Sequence, residues 1–202
     1  NGVVITGGEP TCGHDLVDGM VKNQRLERAI VTPTTKDEVH DELISAKEIL
    51  ERNIVDRATW EKMESIALAL FARGQELASK NGLILVDTKY ELAWDREGEI
   101  MLIDEIHTPD SSRFWLADSY AERFVAGLEP ENIDKEFLRL WFVDNCDPYN
   151  DAELPSAPDD LVVELSSRYI RLYEMITGRD FVPVFEPPIQ QRMKENLAHL
   201  QP

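Results

Sequence analysis

Two stretches, Gly82-Leu-Ile-Leu-Val-Asp-Thr88 and Glu99-Ile-Met-Leu-Ile-Asp104, flank the turn-rich segment Trp94-Asp95-Arg96-Glu97-Gly98. Short apolar, β-branched runs on either side of a glycine turn predict a β-hairpin. If the turn is the two residues Glu97-Gly98, Glu91 lies directly opposite Asp104. Alternation of side chains then puts Asp87, Lys89 and Glu91 on the face of Asp104. Carboxylates opposed across strands repel, so positive charge is expected between them. Lys89 can supply it. So can Mg²⁺, which takes one or two carboxylates together with substrate phosphates. The alternative is a solvated hairpin face whose charges only look paired, and a turn one residue different would move Glu91 to the other face.

Upstream, Trp60, Met63, Ala67, Leu70, Phe71, Gly74, Leu77 and Ala78 recur at helical spacing up to Asn81-Gly82, predicting a helix over about 57–80 with this stripe in the core. Ser45-Ala46-Lys47-Glu48 has the form of a capping box opening a shorter helix. Residues 1–35, with Gly7-Gly8, Gly13, Gly19, Pro10 and Pro33, read as loops and short strands. Downstream, helical patterns return at about 133–143 and 160–177, the second stopped by Gly178. Residues 144–160 form a loop, and Pro187-Pro188 introduces a last amphipathic helix. Between hairpin and helices, Glu105–Trp115 reads as an exposed loop dense in donors and acceptors, in which Arg113 offers a planar fork for phosphate or carboxylate. The plainer alternative is a turn capped by Asp110 and Ser111, with Arg113 paired to a nearby acid. This order of elements is that of an α+β fold with an antiparallel sheet packed with helices.

The net charge of −18 over 202 residues disfavours nucleic acid and anionic membrane as partners. No apolar run reaches the roughly 18 residues of a membrane span. Cys12 and Cys146, distant and in unlike contexts, fit a reducing cytoplasm rather than a disulfide scaffold. Cys12-Gly-His14 lacks the completing pair of ligands that a structural zinc site needs. Ser111, His107 and Asp110 contain the letters of a hydrolase triad without a reason for its geometry. The glycines near the start match no phosphate-binding or dinucleotide fingerprint.

Several blocks together resemble the SAICAR synthetase family. They are Gly82-Leu-Ile-Leu-Val-Asp-Thr-Lys-Tyr-Glu91 and Leu102-Ile-Asp-Glu-Ile-His-Thr-Pro-Asp-Ser-Ser-Arg-Phe-Trp115, with Cys12-Gly-His-Asp-Leu, Thr32-Pro-Thr-Thr-Lys36 and His40-Asp41 before them. Asp134-Lys-Glu-Phe-Leu-Arg and Tyr169–Gly178 follow in matching order. The resemblance implies a two-lobed α+β fold related to ATP-grasp and kinase-like architectures. It also implies Mg²⁺- and ATP-dependent ligation of L-aspartate to the carboxylate of carboxyaminoimidazole ribonucleotide (CAIR). By the same likeness Glu91 and Asp104 hold metal and nucleotide phosphates, and Lys89 sits near the reacting carboxylate. Asp110, Ser112 and Arg113 bind the ribonucleotide or aspartate, with Lys36 and Asp41 lining the same cleft.

On this reading residues 1–44 belong to the substrate cleft and its loops, 45–181 form a core carrying the catalytic hairpin, and 182–202 are a C-terminal extension. The chain, which begins at Asn1, is expected to be the carboxy-terminal portion of a longer enzyme and to be inactive without the family's amino-terminal ATP lobe. Ala93 departs from the glycine usual in the family. The expected setting is cytoplasmic and the partners are small molecules, with a homo-oligomer left open. The competing readings are a non-catalytic nucleotide- or partner-binding module of the same fold and a related small-molecule kinase.

Overall fold

The computed structural model describes residues 12–35, 42–148, 150–151 and 153–200. Helix α1 (Ala46–Glu51) opens on the expected capping box: the Glu48 amide donates to Ser45 Oγ at 3.1 Å, and the Ser45 amide donates to Glu48 Oε2 at 2.9 Å. Helix α2 (Arg57–Lys80) starts where the Asp56 carboxylate accepts the Thr59 amide at 2.7 Å, and the chain turns off it through Gly82 at φ +72°. Its apolar stripe is only partly core. Phe71, Gly74 and Ala78 meet the interior, whereas Leu77 is exposed.

Strand β1 (Leu83–Thr88) follows directly, then β2 (Leu92–Trp94), β3 (Ile100–Leu102) and β4 (Ser112–Leu116). The expected hairpin forms near its turn alone, and the run Gly82–Thr88 takes no part in it. Instead β1 pairs antiparallel with β4, and β2 with β3, as two separate two-stranded sheets. The segment read as an exposed loop therefore holds a strand, with Ser112 and Phe114 buried in it. Leu83 and Leu85 face Leu116 and Phe114, giving β4 the apolar partner it needs.

The hairpin register also differs from the expected one. Asp95 Oδ1 accepts the amides of Glu97 and Glu99 at 3.0 and 2.7 Å, and the Asp95 amide donates to the Glu99 carbonyl at 2.9 Å. This turn has three central residues, not two, with Gly98 in the left-handed region at φ +82°. Leu92 consequently faces Leu102, and the Glu91 carbonyl accepts the Ile103 amide at 3.0 Å. Glu91 is thus opposite Ile103, one step from Asp104, and the shared face that a two-residue turn would have given the two acids is lost.

Helices α3 (Ala117–Val125), α4 (Glu136–Asn145), α5 (Asp159–Thr177) and α6 (Ile189–Asn196) complete the chain, with a 3₁₀ turn at Ala198–Leu200. Gly178 (φ +65°) stops α5 as expected. Helix α3 was not expected from the sequence; its N-cap, Leu116, supplies no side-chain bond to announce it. The core gathers Ala78, Leu83, Leu85, Phe114, Ile133 and Leu172, so α2 and α5 close over the β1–β4 pair.

Candidate substrate cleft

Four consecutive residues at and beyond the end of β1 are tied to the segment 103–112. Thr88 Oγ1 accepts the Ser112 hydroxyl at 2.8 Å, and the Lys89 amide donates to the Ser111 carbonyl at 3.0 Å. The Tyr90 hydroxyl meets His107 Nε2 at 2.5 Å, and the Glu91 carbonyl holds Ile103. The loop is also bonded to itself: the Ser112 amide donates to the Thr108 carbonyl at 3.0 Å, and Thr108 Oγ1 accepts the amides of Asp110 and Ser111. Loop and strand end form one hydrogen-bonded unit.

Lys89 Nζ lies 3.0 Å from Glu91 Oε1, and the Glu91 side chain is far less exposed than that of Lys89. The positive charge expected near Glu91 is therefore present as an ammonium. Asp104 is exposed at the bend after β3.

Arg113 and Asp87 face each other because β1 carries a bulge at Val86, between the Leu85–Phe114 and Asp87–Arg113 pairs. Strict alternation would have put Asp87 on the core face with Leu83 and Leu85. The extra residue turns it outward instead. Arg113 Nε lies 3.0 and 2.8 Å from the two Asp87 oxygens, and Nη2 also bonds Oδ2. This bond holds the guanidinium firmly charged, raising its pKa against the opposing effect of burial.

Beside them, Tyr169 of α5 donates to Asp110 Oδ1 at 3.0 Å, and Lys135 Nζ lies 3.7 Å from the same oxygen. Burial, followed by the Asp110 bond, pushes the Tyr169 phenol up. Beneath, Asp134 is 1% exposed and accepts two amides, Phe114 on Oδ2 and Glu136 on Oδ1, each at 2.8 Å. Burial raises its carboxyl above the usual carboxylate range.

Of the expected site residues, Lys89, Glu91 and Arg113 stand on the two joined segments, Asp104 and Asp110 lie on the loop between them, and Ser112 is buried rather than lining the surface. Lys36 and Asp41, like His40, lie outside the described residues. Sequence reasoning passed over Tyr90, His107, Asp134, Lys135 and Tyr169 as site residues. The one local signal for any of them was Asp134, an acid just ahead of a helix. Among the described residues no three His, Cys, Asp or Glu side chains are grouped to hold an ion. His14 meets the Val31 carbonyl at 2.7 Å and both cysteines are free, which leaves the zinc reading without a cluster among those residues. Two hollows lie elsewhere. One, of about 480 Å³, is between α1 and α2; the other, of about 490 Å³, is between α4, α5 and residues 130–133. Neither is lined by the 103–113 loop. Among the described residues no helix is long and apolar enough to cross a membrane.

The chain resembles known proteins in sequence and fold. The sequence profile of SAICAR synthetase matches residues 3–155. A phosphoribosylaminoimidazole-succinocarboxamide synthase of Legionella pneumophila is 57% identical over 189 residues, which are 93% of this chain and 61% of the relative. The chloroplastic enzyme of that name from Arabidopsis thaliana is 58% identical over 189 residues, 93% of this chain and 46% of its own length. Among solved structures, the SAICAR synthase of Saccharomyces cerevisiae complexed with SAICAR superposes with a TM-score of 0.68 at 32% identity, covering 85% of this chain and 54% of that one. A SAICAR synthetase in complex with ADP gives 0.57 at 29% identity, covering 84% and 57%. The chain spans less than two-thirds of the length of these relatives, yet nearly all of it aligns with them, and it belongs to the SAICAR synthetase family.

Proposed function

We propose that this chain is the larger part of an enzyme that uses ATP to join L-aspartate to the carboxylate of CAIR, forming SAICAR, ADP and phosphate. The observation that carries the reading is 57–58% identity across 93% of the chain to synthases of that name. Neither the non-catalytic module nor the kinase has comparable support.

A carboxylate is a poor electrophile, and phosphorylation gives it a leaving group that the aspartate amine can displace. The protein's task is then to position three anionic reactants and stabilise the charge that moves between them. Arg113 suits an anionic group of CAIR or aspartate. Its pairing with Asp87 involves two half-exposed side chains, a type of contact worth about 0–1 kcal/mol. A ligand anion can therefore compete for the guanidinium. Asp110, three residues before it, is held by Tyr169 and lies near the Lys135 ammonium, and Ser112 contributes by fixing the loop to the end of β1. Lys36 and Asp41 complete the proposed substrate set. Lys89 would neutralise the reacting carboxylate or a phosphate.

Magnesium fits the chemistry of the acidic pair. Glu91 already attracts a cation in Lys89, and Glu91 and Asp104 flank one hydrogen-bonded step of the chain. Both offer only hard oxygen donors. Two carboxylates are enough when nucleotide phosphates supply further ligands, and a bound Mg²⁺ would offset charge on the transferred phosphoryl group. A cytoplasmic setting forms part of the proposal, supported by two free cysteines, although the Arabidopsis relative is named chloroplastic.

The test is ATP-dependent formation of SAICAR from CAIR and aspartate. It would be run with the 202-residue chain and with a polypeptide extended to the full length of the relatives. Turnover is expected in the long form and not in the short one. A folded long form that consumes no ATP with both acids present would overturn the functional reading. Full activity of the short form would overturn the expected need for further chain.

A further inference from the structure

Of the bonds between residues 88–91 and the loop, the one from Tyr90 ends on a half-buried imidazole. Its partner His107 packs edge-on against the phenol, with ring centroids 5.6 Å apart at 63°. The other side of the imidazole rests on α2. A Cβ at Gly74 would stand 2.3 Å from His107 Cε1 and 2.7 Å from both His107 Nδ1 and the core atom Leu85 Cδ2, closer than atoms can approach, with the imidazole the nearest of the three. Gly74 lies inside a 24-residue helix, where glycine is distinctly worse than alanine. His107 has φ +53°, a region that residues with a side chain seldom occupy. Two locally unfavourable choices therefore meet at one contact, a pattern more typical of function than of stability alone.

We propose that Gly74, His107 and Tyr90 form a positioning device that fixes the 103–113 loop to the strand end bearing Lys89 and Glu91, so that both halves of the cleft move as one body. The imidazole acts as a spacer. It is seated on the bare helix backbone at Gly74 and held by the Tyr90 hydroxyl. His107 lies between Asp104 and Asp110, so loss of its seat frees the loop on both sides. The device would keep the spacing between the carboxylates and Arg113 independent of whether ligand is bound. Only its kinetic consequence rests on the ligase reading.

The experiment is Gly74→Ala, read by amide hydrogen exchange in this chain and by steady-state kinetics in the full-length protein. Exchange at the Lys89 and Ser112 amides, both bonded within the unit, should quicken at least ten-fold, while that of α5 stays unchanged. The kinetic effect should be a ten-fold or greater rise in KM for the acidic substrates. Adding His107→Asn, which tolerates positive φ and is smaller, should recover the part of the melting temperature lost to the ring, the contact with Leu85 Cδ2 remaining, without recovering the exchange rates. Tyr90→Phe, which removes one hydroxyl, should speed exchange three- to ten-fold with the fold intact. Gly74→Ala that raises the melting temperature, as alanine in a helix ordinarily does, and leaves loop exchange within two-fold of wild type overturns the proposal. If Gly74→Ala fails to fold, unchanged exchange in Tyr90→Phe does so. Unaltered KM and kcat in an actively ligating Gly74→Ala enzyme would also overturn it. Faster exchange in a full-length protein that ligates nothing would leave the device standing and overturn the ligase reading instead.

Discussion

Replacing Asp134 by alanine should destabilise the protein more than its position in a loop suggests. On its outer edge β4 is bonded to residues 131–133: the Leu116 amide donates to the Glu131 carbonyl at 2.9 Å, and the Ile133 amide to the Phe114 carbonyl at 3.1 Å. The next bond of this ladder, from the Phe114 amide, ends on a side-chain oxygen of Asp134. The other oxygen accepts the first amide of α4. Alanine strands both donors. Phe114 is 1% exposed, so water cannot replace the lost partner, and an orphaned buried donor costs about 1–3 kcal/mol. The Glu136 amide is less enclosed and contributes about 1 kcal/mol more. The sum, roughly 2–4 kcal/mol, corresponds to about 5–15 °C in melting temperature for a chain of this size.

Asparagine keeps one acceptor and should fall between alanine and wild type. The pH dependence has an unusual sign. Because burial raises the folded carboxyl, the protonated form is favoured in the fold. The Asp134 contribution therefore grows as pH falls through the raised folded value and is complete below the unfolded one. The gap between wild type and Asp134→Asn should accordingly widen on acidification. Thermal melts followed by circular dichroism across that window measure both effects. A shift below about 2 °C for alanine, or a gap that narrows on acidification, would refute the reasoning.

Three further outcomes are expected. Arg113→Lys keeps the charge but loses the fork, and should raise KM for CAIR or aspartate roughly ten- to hundred-fold in the full-length protein; unchanged constants for both would return Arg113 to a partner of Asp87 alone. Asp104→Asn, at an exposed bend, should abolish turnover while shifting the melting temperature by no more than about 2 °C, and wild-type activity would remove Asp104 from the metal reading. Gly98→Ala meets no neighbour within 4 Å, so its whole effect is backbone strain at φ +82°, worth about 1 kcal/mol; a melting temperature equal to wild type would show that the hairpin turn can relax.

Local signals in the sequence were enough to bound α1 and α2, the end of α5 and the start of α6, though not α3. Asp56 and the Ser45–Glu48 pair open α2 and α1, Gly82 and Gly178 terminate α2 and α5, and Pro187-Pro188 precedes α6. Each acts within one helical turn of its own position and is readable without the rest of the molecule. Lys89, Glu91, Asp104, Asp110 and Arg113 could likewise be picked out as candidates, because their residue types and order stand in two short blocks. Strand partnership could not. Leu83–Thr88 had an apolar, β-branched appearance that suited either neighbour, and the choice of Ser112–Leu116 was made by Phe114 filling the space between Leu85, Ala78 and Leu172.

Face and register were likewise decided by tertiary structure. The bulge at Val86 turned Asp87 toward Arg113, and the Asp95 carboxylate, by taking two turn amides, moved Glu91 one step from Asp104. With a side-chain period of two, a single residue reverses a face, and nothing local to Asp87 or Glu91 records it. Asp134 found its donor 20 residues away and Tyr169 its acceptor 59 residues away. The bare backbone of Gly74, a defect when α2 is read alone, acquires its reason from the ring of His107 and the Leu85 side chain folded against it.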